Sequence, residues 1–161
     1  MNNFLGQVSK RSIPVLLFLY IAGASAQAGG IQGIGGYTLG EALDEKLVLK
    51  ETKTSDGVTL YRVEPIAASP QVDLITLRIT RKRQIHRISA DSPVLTETDC
   101  QTRMSRLRVQ TEKQSPELGY YAMADGELFY QDDRTYTLDC VKTDSGIRLR
   151  QEYSDDKLAA Q

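Results

Sequence analysis

Six side chains able to carry positive charge lie close together around a predicted hairpin. They are Arg78, Arg81, Lys82, Arg83, His86 and Arg87. Such a cluster attracts anionic ligands, and the attraction is screened by salt. Charges at a hairpin also prevent edge-to-edge strand pairing, so the cluster also fits a solvated tip. Two interpretations stay open: a solvated tip, or a binding surface for an acidic protein or an anionic envelope polymer.

His86 is the only histidine of the chain, so any catalytic triad with a histidine base has to include it. It lies next to Ile85 and therefore faces the other side of a strand, as a surface residue would. No nucleophile elbow, phosphate-binding loop or dinucleotide fingerprint is present. We expect no enzymatic activity and no cofactor. Because paired catalytic carboxylates come from unconnected positions, an enzyme with dispersed carboxylates remains the second alternative.

Metal and nucleic-acid binding are both disfavoured by composition. One histidine and two cysteines provide too few clustered ligands, so we predict no metal site. The acid pairs Asp132–Asp133 and Asp155–Asp156 are typical of solvated turns, with a weak calcium contact as the alternative. The net charge of −1 and the lack of aromatic residues within the basic cluster argue against nucleic acid.

Tyr120 and Tyr121 belong to an aromatic group that also includes Phe129 and Tyr130. Tyrosine offers rigid, amphipathic contact area at protein interfaces, which makes Tyr120 and Tyr121 candidate binding residues. Aromatic pairs across neighbouring strands also stabilise small sheets. An interface and a core position are therefore both open for these two tyrosines.

The first 26 residues contain, in order, the basic, apolar and small-residue regions of a secretory signal peptide. Lys10 and Arg11 precede an apolar run at 13–23, which is followed by Ala24-Ser25-Ala26. We predict cleavage before Gln27 and no membrane span, because the apolar run is about half of the roughly 20 residues that a spanning helix needs. A periplasmic or secreted, soluble protein is expected.

Export determines how the two cysteines are interpreted. Cys100 and Cys140 are the only cysteines, and an oxidising compartment favours their pairing in a disulfide bond. In the loop-entropy model, closing a loop of this length stabilises the folded state by about 4 kcal/mol. The sequence therefore predicts one covalent link between the middle and the last part of the chain.

Hydrophobic periodicity changes three times between helix and strand along the chain. Helical spacing is found at 39–49 and from Thr96 to about Lys113, and each helical segment precedes three alternating segments. The strand segments begin near Val58, Ile75, Ile85, Glu127, Arg134 and Ile147. This pattern predicts the α+β class: an antiparallel sheet with two helices on one face, in the order α-β-β-β-α-β-β-β.

These segments define the predicted domain organisation. The signal peptide at 1–26 is followed by a flexible Gly-rich lead-in at 27–36, a single domain at 37–153 and a disordered tail at 154–161. Arg103, Arg106 and Arg108 extend the basic cluster only if the second helix packs near it.

Three parts of the sequence carry a resemblance: residues 36–44, the hairpin at 80–85 with 88–90, and Cys100 at the start of an amphipathic helix. They resemble small exported bacterial proteins, mostly uncharacterised. The helix-plus-meander repeat is similar to the fold of the β-lactamase inhibitor protein and to small outer-membrane assembly lipoproteins, although the lipid-anchor cysteine of the latter is missing. A likeness of fold does not carry function, so these roles are not transferred. Mainly because motifs for catalysis, metal and nucleic acid are missing, we expect an exported binding module that recognises another protein, as an inhibitor, immunity factor or envelope assembly factor. Anionic envelope material bound through residues 78–87 is the alternative.

Overall fold

The computed structural model describes residues 30–55, 57–66 and 69–161. The predicted signal peptide at 1–26, and residues 27–29 of the lead-in, lie outside this part. Its helices are α1 (Glu97–Gln114) and α2 (Asp156–Ala159), and one 3₁₀ turn spans Glu45–Leu47. Its strands are β1 (Gly33–Ile34), β2 (Tyr37–Thr38), β3 (Val48–Lys53), β4 (Thr59–Val63), β5 (Leu74–Ile79), β6 (Ile85–Asp91), β7 (Gly119–Ala122), β8 (Gly126–Gln131), β9 (Arg134–Thr143) and β10 (Gly146–Asp155).

Strands β3 to β10 form one antiparallel sheet in the order β3-β4-β5-β6-β10-β9-β8-β7. The sheet consists of two four-stranded meanders that α1 connects along the chain, and the pairing of β6 with β10 joins them in space. The mostly antiparallel α+β architecture agrees with the prediction. The predicted order of elements is not observed, because each meander has four strands instead of three.

The helix predicted at 39–49 is absent, and this prediction is wrong. Gly40 has a φ of +90°, which helical backbone does not adopt. Backbone hydrogen bonds from Gly40 to Ile85 and from Leu43 to Arg83 tie this segment to the start of β6. Only the 3₁₀ turn follows, and residues 48–53 form β3. Tertiary hydrogen bonds therefore override a short amphipathic pattern that is too weak to nucleate a helix alone.

One face of the sheet, here called the covered face, carries the hydrophobic core. Thr96 caps α1 by accepting a hydrogen bond from the Asp99 amide, as the sequence predicted. Cys100 and Met104 are the buried residues of α1, which packs on β9 and β10. On the other half of this face the segment 30–44 replaces the missing helix. Its buried side chains are Ile31, Tyr37, Leu39 and Leu43.

A row of aromatic rings crosses the covered face. The centroids of Tyr153 and Tyr136 are 4.5 Å apart, those of Tyr136 and Phe129 5.8 Å, and those of Phe129 and Tyr120 5.3 Å. Burial raises the pKa of Tyr153 to about 12, so its phenol stays neutral. These contacts extend the core from the sheet centre to β7 at its edge.

The predicted disulfide is confirmed. The Sγ atoms of Cys100 and Cys140 lie at a bonding distance of 2.05 Å and join the first turn of α1 to β9. Because α1 has few buried residues of its own, this link is a substantial part of its attachment to the sheet.

Both ends of the predicted domain carry structure that the sequence did not indicate. Residues 30–36 of the expected flexible lead-in include β1, and Ile31 is buried. Residues 154–161, expected to be a disordered tail, complete β10 and form α2. Asp155 caps α2 and binds Arg134. Contacts with strands that are distant in the sequence hold both end segments in place. The segments are too short for hydrophobic periodicity to reveal their structure.

Candidate functional site

The face of the sheet opposite α1, here called the open face, is polar where the covered face is apolar. Cross-strand partners share a face, so the pairing registers define its rows directly. One row crosses all eight strands and consists of Lys50, Arg62, Thr76, Ser89, Glu152, Thr137, Leu128 and Tyr121. The adjacent row consists of Arg78, Arg87, Ser154, Thr135, Tyr130 and Gly119.

A β-bulge in β6 places two consecutive basic residues on the open face. Arg78 pairs with Arg87 whereas Ile79 pairs with Ile85, so His86 is the extra residue. The bulge lets Ile85 and Ile88 both enter the core, where they are fully buried. His86 thus faces away from Ile85, as predicted, and lies beside Arg87.

The cations of the open face fall into two groups. Near the ends of β6 and β10 they are paired: Arg150 binds Asp91 and Arg148 binds Asp73 at 2.7 Å. On β3 to β6 they are largely free. Among the residues that the structure describes, no acidic side chain lies within 4 Å of a charged nitrogen of Lys50, Arg62 or Arg78.

We call Lys50, Arg62, Arg78 and Arg87 the cationic half of the open face. Arg87 alone has an acidic neighbour, at 3.5 Å between its Nη1 and Oε1 of Glu152. Oε2 of the same carboxylate accepts a hydrogen bond from Ser89 at 2.7 Å. Within the described residues, Glu152 is therefore the one carboxylate that forms an ion pair with a member of the cationic half.

The hairpin tip is distinct from the cationic half. Arg83 pairs with Glu45, and Nζ of Lys82 donates to the side chain of Gln161 at 3.1 Å. Arg81 is exposed. The structure therefore separates the predicted cluster into Arg78 and Arg87 on the sheet and 81–83 at the tip.

The two candidate tyrosines point to opposite faces because they are neighbours on one strand. The ring of Tyr120 packs on Phe129, and its hydroxyl donates to Glu127. Tyr121 lies on the open face and is 63% exposed. Tyr120 thus packs on the core side with 38% of its surface still exposed, whereas Tyr121 has its ring on the open face.

Tyr121 belongs to an exposed apolar patch at the other end of the open face. Its cross-strand neighbour is Leu128, and Tyr130 lies in the adjacent row with 48% of its surface exposed. The ring of Tyr130 lies over Gly119, where a Cβ would overlap the ring. From β6 to β8 the sheet advances three strands, so about 14 Å separates this patch from the cationic half.

Carboxylates gather at a different place, in a depression of about 500 Å³ between the start of α1 and the turn after β7. Glu97, Asp125, Glu127 and Asp139 line it. Burial and the charge of Asp125 raise the pKa of Asp139. In the described part of the chain, no group of three His, Cys, Asp or Glu side chains is arranged to hold a metal ion.

Two members of the cationic half, Lys50 and Arg62, were not identified from the sequence. Lys50 follows a segment that was interpreted as a helix, and only the pairing of β3 with β4 places it opposite Arg62. Arg103 and Arg106 do not extend the basic cluster, because α1 packs on the covered face. Arg108 instead pairs with two glutamates: its Nη1 is 3.5 Å from Oε1 of Glu112, and its Nε is 3.7 Å from Oε1 of Glu127.

Comparison with protein-family models, curated proteins and solved structures finds no match to this chain. In the described residues no helix has the length and apolar character needed to cross a bilayer.

Proposed function

We propose that this protein is an exported binding module whose open face recognises another protein. The observation that supports this is the combination of free cations at one end of an uncovered sheet face and exposed aromatic side chains at the other. Aromatic and arginine residues are the types that most often dominate binding energy at interfaces. The predicted signal peptide and the disulfide bond support a periplasmic or secreted location.

The charges of the face favour an acidic partner. Within the described residues, Lys50, Arg62 and Arg78 have no acidic oxygen within 4 Å, so an approaching carboxylate meets little competition. Opposite charges across an interface raise the association rate. Added salt screens the charges and reduces this gain. A partner with acidic and apolar groups about 14 Å apart fits both ends of the open face. This is the chemistry expected of an inhibitor, immunity or assembly factor that binds by surface complementarity.

A matched pair of charge reversals tests the proposal. Arg62→Glu with Arg78→Glu changes the open face, and Arg103→Glu with Arg106→Glu makes the same change on the exposed side of α1. Tagged wild-type protein is expected to capture a stoichiometric envelope protein, and the α1 variant is expected to capture it as well. The open-face variant is expected to lose it. Equal capture by both variants would exclude the open face as the binding surface.

Photo-crosslinking locates the contact independently of charge. A photoreactive residue at position 121 lies on the open face, whereas one at position 109 lies on α1, where Val109 is also more than half exposed. The captured protein is expected to crosslink from position 121 and not from 109. The reverse result contradicts the proposed orientation.

An anionic envelope polymer is the alternative ligand, and the cationic half alone favours it. Polymer binding needs charge but not the aromatic patch. Tyr121→Ser is therefore expected to weaken binding of a protein partner and to leave polymer binding unchanged.

Intact mass of the exported protein tests its processing, with Gln27 as the expected first residue.

A further inference from the structure

The bulge in β6 contains the buried nitrogen atoms that lack partners. Among the described residues, Nδ1 of His86 and Nε of Arg87 are buried and form no hydrogen bond. Buried polar groups are nearly always satisfied, and the exceptions require an explanation. Both exceptions here belong to consecutive residues on the open face. They point to one polar site rather than to scattered packing faults.

Both cations and carboxylates surround the bulge, and the cations are its cross-strand and chain neighbours. Arg78 lies directly opposite Arg87, an arrangement of like charges that destabilises a strand pair. Burial, together with Arg87 and Arg78, lowers the pKa of His86. Asp155 and Asp156 act in the opposite direction.

The acidic groups near His86 already have other roles. Asp155 binds Nε of Arg134 at 3.0 Å and accepts the Leu158 amide, and Asp156 begins α2. Glu152 accepts from Ser89 and neighbours Arg87. Arg78 is left without an ion-pair partner within the described ranges.

We propose that Arg78, His86 and Arg87 form a subsite for one carboxylate group of the protein partner. The inference rests on the proposed function, since it specifies which part of the open face the acidic partner contacts. The side chain of Arg87 is 32% exposed, so its guanidinium is within reach of an incoming oxygen. The two guanidinium groups donate charge-assisted hydrogen bonds to the carboxylate oxygens, and the imidazole completes the contact as a neutral ring that carries its proton on Nδ1 and donates it.

Charge balance favours a carboxylate over a phosphate. Glu152 offsets one of the two arginines, which leaves Arg78 as the single unpaired charge of the pair. A carboxylate carries one negative charge. A phosphate close to neutral pH carries more and would be repelled by Glu152 and Asp155.

The lone histidine allows a direct test on the purified protein. The ring resonances of His86 report binding without overlap, because the chain has no other histidine. The probe is acetyl-Glu-Gly-amide, and its matched control is acetyl-Gln-Gly-amide at the same ionic strength. We expect a saturable shift with the Glu probe and none with the Gln probe. We also expect the pKa of His86 to rise in the bound state.

Two variants of equal charge change separate the subsite from general attraction. Arg78→Gln is expected to lower the affinity for the Glu probe about tenfold. Arg81→Gln at the exposed hairpin tip is expected to leave this affinity unchanged. Arg78→Lys retains the charge and is expected to restore part of the affinity. Thermal unfolding of each variant shows that the fold is kept.

Three outcomes overturn the inference: equal shifts with the Glu and Gln probes, equal loss in Arg78→Gln and Arg81→Gln, or tighter binding of inorganic phosphate than of the Glu probe. Probe binding does not require the natural partner. If the probe binds but the open-face reversals leave partner capture intact, the proposed function fails and the subsite stands. If capture depends on the open face but the probe does not bind, the subsite alone fails.

Discussion

Arg150 and Asp91 lie opposite each other on β10 and β6 and form two parallel hydrogen bonds. Nε of Arg150 is 2.7 Å from Oδ1, and Nη2 is 2.9 Å from Oδ2. The carboxylate is 8% exposed, so its charge depends on this one partner for compensation. The pair lies at the seam between the two meanders, where β6 and β10 are hydrogen-bonded.

Breaking this pair is expected to destabilise the protein. Arg150→Gln leaves a buried carboxylate without its cation and should cost about 2 kcal/mol. Urea unfolding of Arg150→Gln, Asp91→Asn and the double variant measures the coupling between the two residues. Strictly additive single effects would show that the two groups do not interact energetically.

Removing the disulfide should lower stability by about 4 kcal/mol, because Cys100 and Cys140 close a loop with a sequence separation of 40. The urea midpoint of the Cys100→Ala, Cys140→Ala variant is compared with that of oxidised wild type. Addition of a reductant should shift the wild-type midpoint towards that of the variant. It should not affect the variant, which serves as the control.

The two neighbouring tyrosines should respond differently to the same substitution. Tyr121→Ser removes an exposed ring and should change stability by no more than about 0.5 kcal/mol. Tyr120→Ser removes the contact with Phe129 and the hydrogen bond to Glu127, and should lower the melting temperature clearly. Equal melting temperatures for the two variants would contradict the assignment of Tyr120 to the core side.

His86 should make the protein less stable in mildly acidic solution. Its folded-state pKa is lowered, mainly by burial and then by Arg87 and Arg78, so the unfolded chain binds the proton more readily. The free energy of unfolding should therefore fall as the pH drops below about 6.5, the unfolded value, until the folded pKa is reached.

His86→Gln should remove this part of the pH dependence. Arg78→Gln should raise the pKa of His86 by removing one repelling charge, and NMR titration of the imidazole measures that shift directly. An unchanged titration curve in Arg78→Gln would show that Arg78 does not act on the histidine.

The sequence by itself determined the elements with a long, regular pattern. Thr96 and the following acids identified the start of α1, and alternation identified β4, β5, β6 and β8 to β10. Two cysteines allow a single pairing, so the disulfide followed from composition. The basic character of residues 78–87 is also a local property of the sequence. So is the placement of His86 and Ile85 on opposite faces of the strand.

Only the tertiary structure decided which side chains share a surface. Lys50 and Arg62 join Arg78 because β3 pairs with β4 and β4 pairs with β5, and the register of these pairs depends on the assembled sheet. The hydrogen bond from Gly40 to Ile85 holds an irregular segment at the start of β6 where the sequence predicted a helix. Residues close in sequence, such as Tyr120 and Tyr121, are separated by the strand alternation. Local pattern reports the preference of a segment, whereas the site depends on the register between segments, which is fixed only when the whole sheet assembles.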